Sequence, residues 1–378
     1  MSLLESEKAT SPAVHMSAGP PSPAPLPDND DMLREILLRL TPLPSSFPRA
    51  SLVWKRWRRL LSDPHFLRRF RAHHRTPPLL GFFVASGISP SPSSSPFLGC
   101  RHGLALLFDR SMLQAVVWDP VAGRQCCIAF PPELLPKDRH DVYHGAVLSA
   151  TVDDGAELGH GDCHIRPFKL VLVCDRDTHA SASLYESQSA QWGNITTTDI
   201  PPGSCLFYPS VLVGNALCWL LREDGAILEF DLDTQSLAVS HPEGNEFSIA
   251  CVLIFRTEDN ELGLAILSKR CLQLWRREAS SHGATRWVLR KNVELDKLLS
   301  RGPSTVKLPR TILGFDEDSN VIFLYLNGDV FMIQLQSMQF IHLFESNCIE
   351  TYYPYTSFFT SGWGIGGVDD GPKILNNA

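Results

Sequence analysis

Few residues in this sequence have the types and spacing that chemistry requires. Cys100-Arg101-His102 and His160-Gly161-Asp162-Cys163-His164 gather thiol and imidazole donors in short stretches, and these are the donors that hold zinc. Structural zinc wants two ligand pairs at regular spacing, and neither cluster provides them, so no metal is expected. A Cys–His nucleophile pair drawn from the same residues has no better support. Asp231-Leu232-Asp233 opens like a calcium loop. Ser236, however, stands where that loop needs glycine and Pro242 where it needs its last glutamate, so the stretch reads as a strand end and turn. Gly362, Gly364 and Gly367 have the spacing of a dinucleotide-binding loop but no following helix, so that reading fails on context. HExxH, Walker and GxSxG patterns are absent from the sequence, and no cofactor is expected.

The remaining chemical signal is charge. ASLVWKRWRRLLSDPHFLRRF, residues 50–70, packs Arg and Lys among Leu, Val, Trp and Phe. Its cations could grip a phosphate backbone, or they could be the wet side of a small helical unit. From Leu26 to Leu80 there are eleven Lys and Arg against five Asp and Glu, whereas the 378-residue chain carries a net charge of −7. The front is basic and the body acidic, which argues against a protein that coats nucleic acid as a whole.

The elements around the charges decide between the two. Met1 to Pro25 is rich in Pro, Ser and Ala and reads as a disordered tail. It carries Glu5 and Glu7 and no continuous apolar stretch, so no secretory leader is expected. Asp28 or Asn29 can cap a helix over Asp30–Leu40, with Met32, Leu33, Ile36, Leu37 and Leu40 on one face. Pro42 and Pro44 end it. A second helix is predicted over Arg49–Leu61, with Val53, Trp54, Trp57, Leu60 and Leu61 as its apolar stripe. Asp63 and Pro64 start a third, which turns Phe66, Leu67 and Phe70 inward. With Trp54, Trp57 and Phe70 at buried spacing, no aromatics are left to stack on bases, and nucleic acid is not expected as a partner.

After Pro77-Pro78 the texture becomes short apolar runs between turn residues. AILEFDLD follows ALCWLLR across Asp224-Gly225, and DVFMIQL follows VIFLYL across Asn327-Gly328, both with type I′ turn chemistry. A weak repeat runs through VVWDPVAGRQCCI, SLYESQSAQW, LEFDLDTQSLAV, LQLWRREASSHGATRW and FMIQLQSMQF. Its spacing fits propeller blades with loop insertions. Five units are visible, and a sixth can form from LLGFFVAS and a late strand in YYPYTSFFTSG, closing the ring. The alternative is a pair of open β-sandwiches. Apolar runs such as Val211–Leu221 are too short and interrupted to span a bilayer, so no membrane partner is expected. Most of the ten cysteines sit in apolar strand-like runs, as at Cys174, Cys218 and Cys251, which fits a reducing cytoplasm or nucleus.

APLPDNDDMLREILLRLTPLPSSFPRASLVWKRWRRLLSDPHFLRRF resembles an F-box, in the form common in plant F-box proteins. The resemblance rests on the Leu26-Pro27 entry with acids after it, the LREILLRL helix, the SLVxKRW core and the SDPxFLRRF exit. Trp54 stands where that family often has Cys. The later chain, including YYPYTSFFTSG, resembles the propeller-like domains that follow such boxes. The resemblance implies an α+β multidomain chain: a disordered tail (1–25), a small three-helix F-box (26–75), an all-β six-bladed propeller (79–361) and a flexible tail (362–378). It further implies a non-catalytic receptor subunit of an SCF-type cullin-RING ubiquitin ligase. Its partners would be a SKP-type adaptor, through it cullin and RING subunits, and a target protein that the sequence does not name. By resemblance, Leu26, Pro27, Ile36, Leu37, Leu40 and Leu43 face the adaptor, while Val53 and Trp57 share core and interface roles. The basic residues Arg56, Arg58, Arg59, Arg68, Arg69 and Arg71 become solvated helix sides. A target would bind loops on one propeller face, with Pro131–Gly145, Asp153–Pro167 and Ser280–Arg286 chosen for length. The other function classes left open are a nucleic-acid binder that uses the basic helices and a propeller hydrolase.

Overall fold

A computed structural model describes residues 29–86, 97–136, 141–150, 165–176, 178–204, 206–221, 225–241, 251–268, 271–279, 285–295, 310–347 and 349–358. The chain divides into two units, Met1–Leu40 and Thr41–Ala378. The tail assigned to 1–25, the Leu26-Pro27 entry, the His160–His164 cluster and the Gly362–Gly367 stretch lie outside the described residues.

In the first unit, α1 runs over Asp30–Leu38. The Asn29 side chain accepts a hydrogen bond from the Asp31 amide at 2.8 Å, and Asp30 and Asp31 meet the positive end of the helix dipole. Leu33, Leu37 and Leu38 are buried, and Met32 and Ile36 are exposed.

The second unit opens with three more helices. The stretch predicted as one helix is two: α2 (Ser46–Val53) and α3 (Lys55–Leu61), separated by Trp54 in extended conformation at φ −158° and ψ 146°. Val53 and Trp54 are weak helix formers, and the break sacrifices little, because the Trp54 carbonyl accepts the Arg58 amide at 3.1 Å and starts the next helix. The predicted three-helix box is therefore corrected to four helices. The last, α4 (Pro64–His74), starts as its sequence directs, with Asp63 accepting the His65 amide at 3.1 Å. Phe47, Phe66 and Phe70 form its aromatic core, the Phe47 and Phe70 rings meeting edge-on at 4.6 Å.

The rest is β-structure. β1 (Leu79–Ser86) precedes a blade of β2 (Phe97–Arg101), β3 (Leu104–Asp109), β4 (Gln114–Asp119) and β5 (Arg124–Ala129). The second blade holds β6 (Val142–Ser149), β7 (Phe168–Arg176), β8 (His179–Glu186) and β10 (Thr196–Asp199), with the short β9 (Gln191–Trp192) also on β8. The third is β11 (Leu206–Val213), β12 (Ala216–Leu221), β13 (Ile227–Asp231) and β14 (Leu237–Ser240). The fourth is β15 (Val252–Arg256), β16 (Leu262–Leu267), β17 (Cys271–Ala279) and β18 (Thr285–Glu294). The fifth is β19 (Arg310–Asp316), β20 (Val321–Leu326), β21 (Asp329–Gln334) and β22 (Phe340–Glu345). β23 (Glu350–Thr356) comes last and pairs antiparallel with β1, Leu79 opposite Thr356 and Ser86 opposite Glu350.

The fold is thus a propeller of five full blades, and the expectation of six is corrected. LLGFFVAS and YYPYTSF do pair, but as a two-stranded ribbon, because the described chain supplies one strand before the first blade and one after the last. The ribbon lies between the fifth blade and the first and joins the two ends of the β-domain. Innermost strands β2, β6, β11, β15, β19 and β23 follow one another around the axis. Apolar side chains fill each gap between sheets: Leu106, Val117 and Leu170 between the first two blades, Val173, Trp219 and Phe230 between the next pair, and Phe323 and Tyr352 at the ribbon. All five repeat stretches are outer hairpins, β4–β5, β8–β9, β13–β14, β17–β18 and β21–β22. Asn327 and Gly328, at φ 58° and 98°, form the two-residue turn expected between β20 and β21.

Candidate functional site

Two kinds of surface bear on function. The first is the apolar residues on the helices of each unit, taken separately. On α1, Ile36 is exposed, Leu40 is half-buried, and Leu37 has no exposed surface at all. Leu37, expected to face the adaptor, lies on the buried stripe with Leu33, one turn apart. Leu43 and Val53, in the second unit, are exposed, and Trp57 is half-buried with its indole Nε1 shielded and unpartnered. The expected α2–α3 stripe holds at Leu60 and Leu61 but fails at Val53 and Trp54, because the break turns both outward, with Leu52. Leu52, Val53 and Trp54 are 77%, 60% and 47% exposed, three large apolar neighbours in water. The Arg56 guanidinium stands 6.0 Å from the Trp54 ring. Arg58, Arg59, Arg68, Arg69 and Arg71 lie on exposed helix sides.

The second surface is the centre of the ring. Five innermost strands end on a polar or charged residue: β2 on Arg101, β6 on Ser149, β15 on Arg256, β19 on Asp316 and β23 on Thr356. Since these strands run in one sense around the axis, their final residues gather at one end of the channel. Arg101 makes a two-pronged contact with Glu317, Nε to Oε2 at 2.8 Å and Nη2 to Oε1 at 2.7 Å. Its Nη2 also donates to the Ser210 carbonyl at 2.8 Å, so one side chain ties together the first, third and fifth blades. The Leu212 amide donates to Glu317 Oε1 at 3.0 Å, and Arg256 donates to the Glu317 carbonyl at 2.8 Å. Burial pushes the Glu317 carboxyl up, but the Arg101 charge and hydrogen bonds and the Leu212 amide outweigh it, leaving the carboxyl below its usual range. The Thr356 hydroxyl donates to Asp318 Oδ2.

Around this cluster lies a cavity of about 50 Å³, with Leu98, Val147, Pro209, Phe315 and Pro354 among its walls. The Cys100 thiol donates to the Pro354 carbonyl at 2.9 Å, and burial raises its pKa well above the usual thiol value, which favours the protonated thiol. His102 Nδ1 accepts the Ser149 amide at 3.3 Å. Cys100-Arg101-His102 is thus structural, and among the described residues no group of three His, Cys, Asp or Glu could hold a metal. Six described cysteines are free thiols, and Cys126 is disulfide-bonded.

Of the loops chosen for target binding, residues 137–140, 153–164 and 280–284 lie outside the described residues. Pro131–Gly145 follows an outer strand, β5, and leads to an inner one, β6, whereas Asp153–Pro167 connects β6 to β7 and Ser280–Arg286 connects β17 to β18. Antiparallel order puts the flanking strand ends of the last two where inner strands finish and those of the first at the other end. The charged centre had one sequence signal, the acidic triple Asp316-Glu317-Asp318 after an apolar run, but only the closed ring shows which strands are innermost.

A family model described as F-box protein AT5G49610-like, beta-propeller, matches residues 97–359, from the first residue of β2 to just beyond β23. The chain belongs to this family. No family model matches the helical stretch, and comparison with curated proteins gives no significant match. Among solved structures, the chain is similar to streptogramin B lyase, with a TM-score of 0.36 and 9% identity over 70% of this chain and 73% of that one. It is also similar to an Aleuria aurantia lectin mutant in complex with alpha-methyl-L-fucoside, with a TM-score of 0.38 and 11% identity over 69% and 82%. The Dos1 propeller gives a TM-score of 0.35 and 9% identity over 65% and 58%. At such scores these likenesses carry no functional argument.

Proposed function

We propose that the chain is the substrate-recognition subunit of an SCF-type cullin-RING ubiquitin ligase. The helices dock on a SKP-type adaptor, and the propeller holds a target protein. The subunit makes and breaks no bonds itself. It raises the effective concentration of target lysines near the charged conjugating enzyme, which is the gain of tethering. The observation that carries the reading is the exposed Leu52-Val53-Trp54 run ahead of a propeller of the F-box-protein family. Large apolar groups cost free energy in water, about 25 cal/mol per Å² left uncovered, and interface energy concentrates on such anchors.

The test is capture of the adaptor by the full chain. Val53→Asp places a charge on an exposed position, so the fold should survive while capture falls at least tenfold, the loss of about 1.4 kcal/mol or more at an interface anchor. Leu37→Ala removes a fully buried side chain and should instead lower the melting temperature. Wild-type chain that captures no adaptor would end the proposal.

A further inference from the structure

The centre of the ring holds more negative charge than its own cations answer. Arg101 is committed to Glu317, and the Arg256 contact with Glu317 is to the carbonyl, not the carboxylate. Asp318 Oδ2 takes a hydroxyl, which brings no charge. Asp316 is 3% exposed; its Oδ1 accepts the Asp318 amide at 3.1 Å, the Ser319 hydroxyl and amide also hydrogen-bond to the carboxyl, and its Oδ2 has no hydrogen-bond partner. A buried carboxylate oxygen left without a partner is costly, and a positive group beside it removes that cost.

The cavity that Asp316 and Asp318 line has the size for such a group. Its 50 Å³ would admit roughly three or four water molecules. That is room for one ammonium or guanidinium head and far too little for a nucleotide or a sugar. Leu98, Val147, Pro209 and Phe315 offer apolar walls to the methylene stem behind such a head. A divalent metal is the competing cation. The donor set does not favour it, because no three metal-ligating side chains converge among the described residues and the Arg101 guanidinium shares the wall.

We propose that this cavity binds a single organic cation, the Lys or Arg side chain of a protein target, against the carboxylates of Asp316 and Asp318. The inference rests on the receptor reading only for the source of that side chain. It gives the propeller a defined anchor at its axis rather than a contact spread over loops.

Saturation-transfer NMR on the full chain tests it with three probes: the amides of Nα-acetyl-lysine, Nα-acetyl-arginine and the neutral isostere Nα-acetyl-norleucine. Wild type should give a signal for the charged probes several-fold above that for norleucine, and Asp316→Asn and Asp318→Asn should abolish the difference. Should Asp316→Asn lose its fold by circular dichroism, Asp318→Asn carries the comparison. Equal signals from all three probes, an unchanged lysine signal in the folded variants, or displacement of the lysine probe by magnesium chloride at constant ionic strength would each overturn the proposal. The assay does not read adaptor capture, so failure here leaves the ligase reading standing, and loss of adaptor capture leaves this result standing.

Discussion

Asp109, Asp231 and Asp316 each close a strand and each accept a turn amide, yet their ionisation goes opposite ways. The Ser111 hydroxyl and the Met112 amide hold the exposed Asp109 below its usual range, and Thr234 does the same for Asp231. Asp316 makes a similar turn at the crowded axis, where burial outweighs the hydrogen bonds and raises its pKa from 3.8 to about 6. The folded state therefore binds a proton more tightly than the unfolded chain, and stability falls as pH rises from about 4 to about 6. Asp316→Asn removes that cost. Denaturant titration should find the variant more stable than wild type at pH 7.5, by on the order of 2 kcal/mol, with the difference shrinking towards pH 4. The adjacent Glu317→Gln should do the reverse. It leaves the Arg101 charge buried without its partner, at a loss of about 3 kcal/mol. Neighbouring acid-to-amide changes with opposite signs would show that the axis is held by the Arg101–Glu317 ion pair and strained by the buried Asp316 carboxylate.

At the scale of elements, local chemistry that stands in the sequence proved decisive wherever the element depends on its own residues. Asn29 and Asp63 cap the helices that their positions foretell. The five repeat stretches are hairpins because alternation and turn residues are local signals, and Asn327-Gly328 makes its turn because only such residues take positive φ cheaply. Replacing Gly328 by Val at φ 98° should cost about 1–2 kcal/mol in thermal unfolding and leave probe binding unchanged. What failed depended on neighbours distant in sequence. The helical spacing from Arg49 to Leu61 is unbroken, and the weak helix propensity of Val53 and Trp54 is too slight a local signal to mark Trp54 as extended. The same spacing makes Ile36 and Leu37 equally apolar, though the first is exposed and the second buried. The axial cluster was hidden for the same reason, since Arg101, Ser210 and Glu317 are far apart in the chain and meet only when the ring closes.

At the scale of the whole molecule, the ring depends on a ribbon made from its two ends. β1 is short of charge and free of proline, which on an open edge invites pairing with other chains. Pairing with β23 occupies one of its edges, and its aromatic side chains lock it in place. Phe82 meets Phe323 edge-on at 4.8 Å, and Phe83 stacks on Phe97 at 4.7 Å while touching Tyr355 and Trp118. β1 thereby bonds to the last strand while its two rings reach into the fifth blade and the first, so a single strand bridges the seam. Gly314 serves the same seam on the other side, because a Cβ there would collide with the Tyr352 carbonyl. Phe82→Ala with Phe83→Ala would remove both anchors. Single Phe→Ala changes in cores cost about 3–5 kcal/mol, and these rings are only partly buried, so the pair should cost at least that much. A domain of ordinary stability, about 5–15 kcal/mol, has little to spare beyond this. The expected result is a melting temperature lower by about 10 °C or more, together with soluble oligomers in light scattering as the ends of the ring pair between molecules. A double variant that melts like wild type and stays monomeric would mean that the blades hold their circle without the ribbon, and that closure is a consequence of the fold rather than its support.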